Sequence, residues 1–416
     1  MRSKKALTRQ GSSQVRGFVR WAAILGVIAL FAGLLTACGG GDDSTSTSGG
    51  GSETAAETES SGSGETLNVL SWETYHEEEW LKEFEEETGI SVEVANVGSP
   101  AEMYSKVKAN PGQYDIVLAT AGWFPQYVDA DLLEPVDASK LPAMKNIKLG
   151  FPWEDATSVD GELYGVLYTW GDQPLAWIPK DIEGLDLSKY ENEEGVIDDW
   201  NVLWDPALKG KVSIFDDPTS VEPMIPLALG FEDPYNLDEE EFEAFEQKLM
   251  ELRPQVKRLT TGFDDQTTQL ASGEASIAYL NNVASATALG DEGIELKVNN
   301  TVKQGVPAWS DNYAITKEGG GSKLDAVYEF INASLELPWQ ARFVAASGNS
   351  GTLNYEQATS KEAKEAGLTA KDLEGTLIPA TREGDAFFSK MRFYQPVEDL
   401  ERRLEVWNEF KLGIGG

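Results

Sequence analysis

The chain has 416 residues, of which 41% are hydrophobic, and its formal net charge is −36. That length allows two domains with sizeable cores, and that composition is typical of a globular protein rather than a disordered one. A surface this acidic repels nucleic acid and attracts small cations, so DNA and RNA are excluded as partners. The excess of acids would also serve simply to keep an exported protein soluble.

The N-terminus has the order of an export signal. The first 37 residues contain six basic residues and no acidic one, and an uncharged apolar run of 17 residues, Trp21 to Ala37, precedes Cys38. A basic stretch, an apolar stretch and small residues before a cleavage point are removed rather than folded. The stretch Leu35-Thr36-Ala37-Cys38 resembles the bacterial lipobox, which implies that Cys38, the only cysteine, carries a lipid. An uncleaved anchor is the alternative, because 17 residues lie at the short limit for a membrane span.

A low-complexity segment follows the cysteine. Residues 38–65 contain, apart from Cys38, only small, acidic and hydroxyl residues, which predicts a flexible tether. A random coil of that length spans roughly 30 Å. We therefore expect the protein in the cell envelope, lipid-anchored to the outer side of the cytoplasmic membrane or in the periplasm.

The folded part is predicted to begin near Thr66 with alternating strands and helices. Predicted strands at 67–72, 90–97 and 115–119 enclose predicted helices at 76–88 and 101–108. The third strand is almost wholly apolar, which indicates burial on both faces. This alternation favours a parallel sheet covered by helices.

The rest of the chain has more strands than one sheet of ordinary size accommodates. Strands are predicted at 163–170, 176–179, 212–215, 275–280, 294–298 and 306–315, and helices at 200–204, 238–252, 324–335, 340–346 and 397–411, with Pro338 between two of them. We therefore expect two lobes of α/β type. Open α/β sheets bind ligands at the carboxyl ends of strands, so two facing lobes would share a cleft that hinge motion closes.

Seven different short motifs lie along the chain. They are Ser71-Trp72-Glu73-Thr74-Tyr75, Tyr114-Asp115-Ile116-Val117, Tyr168-Thr169-Trp170-Gly171, Leu203-Trp204-Asp205-Pro206, Phe215-Asp216-Asp217, Gly273-Glu274 and Trp309-Ser310-Asp311. Their order and spacing over residues 66 to 413 resemble the spermidine/putrescine-binding proteins of ABC importers. The resemblance implies the type II periplasmic-binding-protein fold, with lobe one at 66–171 plus 310–356 and lobe two at 172–309 plus 357–416.

The same resemblance implies the function and the site. It implies a monomeric receptor, without cofactor or metal and without enzymatic activity, that binds a small cationic solute and docks on a membrane permease. The implied ligand-binding residues are Trp72, Tyr75, Thr120, Trp123, Asp217, Trp309 and Asp311. The chemistry fits, because ammonium groups are attracted to indole faces and a buried carboxylate needs a cationic partner.

Several positions depart from the family pattern. Ser220 stands at the family's second acid, with Glu222 nearby, and Asn281 stands at an expected aromatic. The family's tyrosine positions fall on Gly122 and Ser350, and a late glutamine aligns loosely with Gln395. These losses weaken the case for spermidine itself and leave open a shorter amine such as putrescine, another small cation or polar solute, or a sugar or amino acid.

The sequence offers little support for catalysis. His76, the only histidine, stands beside Glu77, Glu78 and Glu79, which predicts a surface residue or a helix cap. No Gly-x-Ser-x-Gly nucleophile elbow is present, and no Cys/His set could hold a transition metal. A surface hydrolase that uses only carboxylates and an adhesive lipoprotein without a ligand are the remaining, less favoured classes.

Overall fold

The computed structural model describes residues 64–397 and 399–414. The predicted export signal, Cys38 and nearly all of the tether lie outside these residues. None of the helices described is long and apolar enough to cross a membrane.

The strands are short except for two. They are β1 (Thr66–Ser71), β2 (Ser91–Asn96), β3 (Ile116–Thr120), β4 (Leu133–Glu134), β5 (Ser158–Val159), β6 (Glu162–Leu163), β7 (Gly165–Asp172), β8 (Leu175–Trp177), β9 (Val212–Ser213), β10 (Ile277–Tyr279), β11 (Lys297–Asn299), β12 (Val306–Thr316) and β13 (Met391–Phe393).

The α-helices cover these strands. They are α1 (Glu78–Thr88), α2 (Pro100–Ala109), α3 (Phe124–Asp129), α4 (Trp153–Ala156), α5 (Pro179–Ile182), α6 (Pro218–Val221), α7 (Met224–Leu229), α8 (Glu239–Leu252), α9 (Phe263–Ala271), α10 (Ser285–Asp291), α11 (Leu324–Ser334), α12 (Leu337–Ser347), α13 (Tyr355–Ala358), α14 (Lys361–Glu365), α15 (Ala370–Leu373), α16 (Asp385–Phe388) and α17 (Leu400–Leu412). The predicted helix at 200–204 is a 3₁₀ helix, Trp200–Trp204.

The larger sheet has seven strands, with the main order β13-β12-β3-β1-β2 and with β4 and β7 also paired to β12. As expected, β1 runs parallel to β2 and to β3. Every residue of β3 is buried, which confirms the expectation from its apolar sequence. Helices α1 and α2 contribute Trp80, Phe84, Met103 and Val107 to the core on this sheet.

The smaller sheet has four strands in the order β11-β8-β10-β9. Its core is separate and includes Phe242, Phe245, Leu249 and Leu252 from α8, together with Trp407 and Phe410 from α17. Two sheets with their own helical layers and cores make two α/β lobes with a cleft between them, the type II periplasmic-binding-protein architecture that the sequence predicted.

The long strand β12 begins beside β13 and ends against β3 and β4, and β7 pairs with most of its length. All of β7 and β12 is buried. Strand β8 follows β7 after two residues but belongs to the smaller sheet, so the chain crosses between sheets near residue 173. The exact lobe boundaries given above stay a prediction.

Local sequence signals explain several element ends. Gly89 ends α1 in the left-handed conformation (φ 74°), which glycine adopts without steric cost. Asp238 and Glu241 form a capping box at the start of α8. The placement of Pro338 between two helices was wrong: α12 already begins at Leu337, and proline is tolerated in the first turn, where its missing N–H has no helical partner.

Candidate ligand-binding cleft

A cavity of about 630 Å³ opens between the two sheets. It brings together residues from the ends of β1 and β3, from β12, from the loop before α6 and from the start of α9. Six of the seven predicted ligand-binding residues line this cavity, namely Trp72, Tyr75, Thr120, Asp217, Trp309 and Asp311. The predicted cleft and most of its residues therefore coincide in one place.

Asp311 lies on β12, deep in the cleft and only 5% exposed. Its Oδ2 accepts a hydrogen bond from the hydroxyl of Tyr75 at 2.6 Å, and its Oδ1 accepts one from the hydroxyl of Thr120, also at 2.6 Å. Burial raises the pKa of Asp311 to about 7, although both hydroxyls act in the opposite direction. Tyr75 and Thr120 thus orient the carboxylate, and no lysine or arginine among the described residues neutralises it.

The loop after β1 is held firmly against the larger sheet. The indole Nε1 of Trp72 donates to the carbonyl of Leu118 at 2.9 Å, and the hydroxyl of Tyr168 donates to the carbonyl of Tyr75 at 2.9 Å. Between them, Thr74 has a positive φ of 68°, which is strained for a β-branched residue. Such strain concentrates at functional sites, and here it lies in the cleft wall.

Trp309 forms the aromatic wall next to Asp311. Alternation along β12 places both side chains on one face, as predicted, and both line the cavity. The indole packs against Gly171, where an added Cβ would lie 2.4 Å from its Cζ2 atom, so that glycine makes room for the ring. Tyr235 and Tyr394 belong to the same apolar cluster.

Asp217 faces the cleft from the other lobe. Its Oδ1 accepts hydrogen bonds from the backbone N–H and the hydroxyl of Thr219, and its Oδ2 accepts one from Ser220 at 2.7 Å. Asp217 is therefore the N-cap of α6 as well as a cleft residue. Burial raises its pKa while these hydrogen bonds oppose the rise.

Two other acids of the cleft are neutralised by the protein itself. Asp216 Oδ1 lies 3.1 Å from Lys411 Nζ. The Asp265 carboxylate accepts two hydrogen bonds from the Arg258 guanidinium, at 2.8 and 2.9 Å. Asp217 and Asp311 have no such ion pair within the described part of the chain. None of the described residues that line the cavity is a lysine or an arginine.

Trp123 lies outside this cavity. It is buried, its ring is 5.9 Å from that of Tyr104, and it lines a separate small cavity that also touches Tyr394. Gly122 beside it has a positive φ of 91° and approaches the backbone of Gln395 so closely that a Cβ would lie 3.1 Å from that carbonyl oxygen. The main chain of Gln395 thus lies against Gly122, the residue that the resemblance aligns with a tyrosine.

Gln173 and Tyr394 are among the cleft residues that were not predicted. The Oε1 atom of Gln173 is within hydrogen-bonding distance of the hydroxyls of Tyr279, at 3.0 Å, and Tyr394, and both Gln173 and Tyr394 line the cavity. Asn281 lines it too, whereas buried Ser350 does not. Gln173 lies between two strands and Tyr394 follows a short one, so no local pattern marks them.

The prediction for His76 was wrong. Its ring stacks on Tyr168 with centroids 5.5 Å apart, and its two nitrogens approach Ser71 Oγ at 3.1 Å and the hydroxyl of Tyr313 at 3.0 Å. Burial lowers its pKa to about 3, so the ring is neutral at physiological pH. His76 is therefore half-buried against Tyr168, and it does not cap α1, which begins only at Glu78.

The comparisons with known proteins agree with this architecture. Residues 79–371 match the family described as bacterial extracellular solute-binding protein. The chain belongs to this family. Within the described residues, no cluster of His, Cys, Asp and Glu side chains is arranged to hold a metal ion.

Individual relatives extend the match. The spermidine/putrescine-binding periplasmic protein 1 of Haemophilus influenzae is 27% identical over 310 residues, which cover 73% of this chain and 80% of that protein. The structure of the spermidine/putrescine substrate-binding protein PotD from Streptococcus pneumoniae superposes with a TM-score of 0.61 and 21% identity, over 84% of this chain and 99% of that one.

The same fold accommodates other ligands. The binding protein MotA from A. tumefaciens, solved with glucopine, superposes with a TM-score of 0.61 and 15% identity over 83% of this chain and 99% of that one. The fold alone therefore does not select a polyamine, and the side chains of the cleft must decide.

Proposed function

We propose that this protein is the substrate-binding component of an ABC importer and captures a polyamine-like cation, putrescine or spermidine, in the cleft between its lobes. The observation that carries the proposal is the pair of acids, Asp217 and Asp311, which face one cavity without a cationic partner among the described residues. The relatives that are named as spermidine/putrescine-binding proteins support the same conclusion.

The electrostatics explain why a cation would bind here. Burial of Asp311 raises its pKa, which means that the protein alone under-stabilises its charged form. A ligand ammonium would supply the missing charge and a charge-assisted hydrogen bond. Trp72 and Trp309 offer indole surfaces to the ammonium groups and to the methylene chain between them.

Binding from both lobes also explains how transport would be triggered. Asp311 belongs to the larger sheet and Asp217 to the loop between β9 and α6 of the smaller sheet, so one ligand contacts both. A ligand favours the closed form only to the extent that it binds that form better, and simultaneous contact provides this difference. The closed form would then dock on the permease.

The alternative ligands fit the cleft less well. An amino acid carries a carboxylate, and the cavity walls include acids but no lysine or arginine to receive it. A neutral sugar would stack on the tryptophans but would leave the two buried acids without a cation. The proposal includes a monomeric receptor without cofactor or enzymatic activity, attached to the membrane through lipidated Cys38 and the 38–65 tether.

The direct test is calorimetry on the full-length chain in detergent, titrated with putrescine, spermidine, a set of sugars and a set of amino acids. We expect amine binding with a dissociation constant of about 1 μM or tighter, a typical receptor affinity of about −8 kcal/mol. Binding of a sugar or amino acid with no amine binding would refute the polyamine assignment and retain the receptor role.

A further inference from the structure

A second, much smaller cavity lies beside the cleft, with a volume of about 30 Å³. We call it the Glu222 cavity; its walls include Trp123, Glu222, Tyr235, Tyr394 and Arg403. A space of this size holds one or two water-sized groups. Tyr394 lines both this cavity and the cleft, so the two are neighbours.

The side chain of Glu222 is buried without hydrogen-bond partners. The residue is 1% exposed, and neither carboxylate oxygen accepts a hydrogen bond from any described residue. The nearest cationic atom is Nη1 of Arg403, at 3.8 Å from Oε2, which is too long for a hydrogen bond. Burial of a carboxylate without a hydrogen-bond donor costs folding free energy, because its hydrogen bonds to water are lost and not replaced.

Arg403 is already committed elsewhere. Its Nε donates to Asp399 Oδ1 at 2.8 Å, and its Nη2 donates to the carbonyl of Tyr235 at 2.9 Å. One guanidinium therefore serves two carboxylates, those of Asp399 and Glu222. When Glu222 is ionised, these three side chains carry a net charge of −1. Burial, together with the negative charges of Asp399 and Asp217, raises the pKa of Glu222. The ionised form of Glu222 therefore needs one further positive charge beside it.

The remaining walls suit a cation. Three aromatic side chains, those of Trp123, Tyr235 and Tyr394, border the cavity together with the carboxylate. The rings of Tyr235 and Tyr394 meet edge to face, with centroids 6.3 Å apart. Aromatic ring faces attract ammonium groups, and a carboxylate beside them supplies the opposite charge. The cavity thus combines small size, missing positive charge and aromatic walls.

We propose that the Glu222 cavity is a subsite for one ammonium-sized monovalent cation, additional to the positions at Asp217 and Asp311. The cation has two chemical sources. It is either an end of a linear polyamine that passes Tyr394 from the cleft, which rests on the function proposed above, or a free ion such as ammonium or potassium, which does not. Ser220 stands at the position of the family's second acid. Glu222, two residues further along the chain, then supplies a carboxylate near that position.

The test uses the full-length chain in detergent and the variant Glu222→Gln, with Glu243→Gln on the exposed face of α8 as the matched control. Calorimetry in sodium buffer measures affinity for putrescine and spermidine. Thermal unfolding in sodium, potassium and ammonium chloride at equal ionic strength measures binding of the free ions and shows that each variant is folded.

If a polyamine end fills the cavity, Glu222→Gln weakens spermidine binding at least tenfold and putrescine binding less than twofold, and Glu222→Asp, which keeps the charge, retains part of the spermidine affinity. If a free ion fills it, potassium or ammonium raises the unfolding midpoint of the wild type and the control but not of Glu222→Gln. Either result supports the subsite.

Equal spermidine affinity and equal ion dependence in wild type and Glu222→Gln would overturn the proposal and identify Glu222 as a carboxyl that stays protonated. Failure of the wild type to bind any amine refutes the function proposed above. The ion arm still decides whether the Glu222 cavity binds a cation.

Discussion

Replacement of Asp311 by asparagine tests the cation-binding role of the cleft most directly. The carboxylate accepts one hydroxyl on each oxygen, from Tyr75 and from Thr120. Asparagine keeps the shape but loses the negative charge, and its NH2 group donates to one of the two hydroxyls instead of accepting from it. A ligand ammonium would then meet a neutral amide in a desolvated position.

The expected loss of affinity follows from general magnitudes. A hydrogen bond to a charged group contributes about 1.5–3 kcal/mol, and removal of one partner of a buried charged pair costs about 2–5 kcal/mol. We therefore expect Asp311→Asn to weaken diamine binding on the order of tenfold to a thousandfold. Isothermal calorimetry with putrescine on the full-length chain measures this change.

The pH dependence provides a second readout of the same residue. Burial raises the pKa of Asp311 to about 7, so below that pH a proton must leave the carboxyl before an ammonium binds. Wild-type affinity should fall as the pH decreases below 7, approaching a tenfold loss per pH unit. Asp311→Asn should flatten this dependence, and the part due to Asp217 should remain.

Asp172→Asn is the matched control. Asp172 is another buried acid whose pKa burial raises to about 7, but it is hydrogen-bonded by Asn300 and does not line the cleft. Its replacement should weaken diamine binding far less than Asp311→Asn does, because Asp172 is not among the residues that line the cavity. Equal affinities and equal pH profiles of wild type and Asp311→Asn would refute the role of Asp311.

Three further changes test other parts of the structure. Trp72→Ala should weaken diamine binding by about 0.5–2 kcal/mol in calorimetry, through loss of the indole surface, and unchanged affinity would remove the ring from the site. Asp217→Asn should weaken binding in the same assay and leave the unfolding free energy nearly unchanged, because asparagine caps a helix as well as aspartate does; unchanged affinity would make Asp217 purely structural. Asp115→Asn should lower the unfolding free energy in denaturant titration by about 3 kcal/mol with unchanged diamine affinity, since buried Asp115 pairs with Lys323 at 2.9 Å away from the cleft; an unchanged midpoint would contradict this.

The sequence predicted the elements that depend on neighbouring residues. The start of α8, the end of α1 and the apolar run of β3 depend on short-range signals, and each lies at its predicted place to within a few residues. The alternation of Trp309 and Asp311 on one strand is of the same kind. Local periodicity and capping are set within a few residues, so one sequence is sufficient to identify them.

The resemblance to a family supplied what local patterns could not. It indicated that Trp72, Asp217 and Asp311 belong to one site although they are far apart in the chain. The structure brings these three residues to the same cavity. It also keeps Trp123 out of that cavity, which the linear order of motifs gave no means to foresee.

Other features were decided by the tertiary structure alone. Tyr75 and Asp311 are 236 positions apart and share a hydrogen bond, His76 stacks on Tyr168, and Glu222 lies beside Arg403 in a small cavity. Burial and hydrogen-bond partners of polar side chains depend on which distant segments pack against them. Because these same contacts set the pKa values, the sequence determined which charged groups are present, and only the fold determined which of them lack a partner and are free to bind a cation.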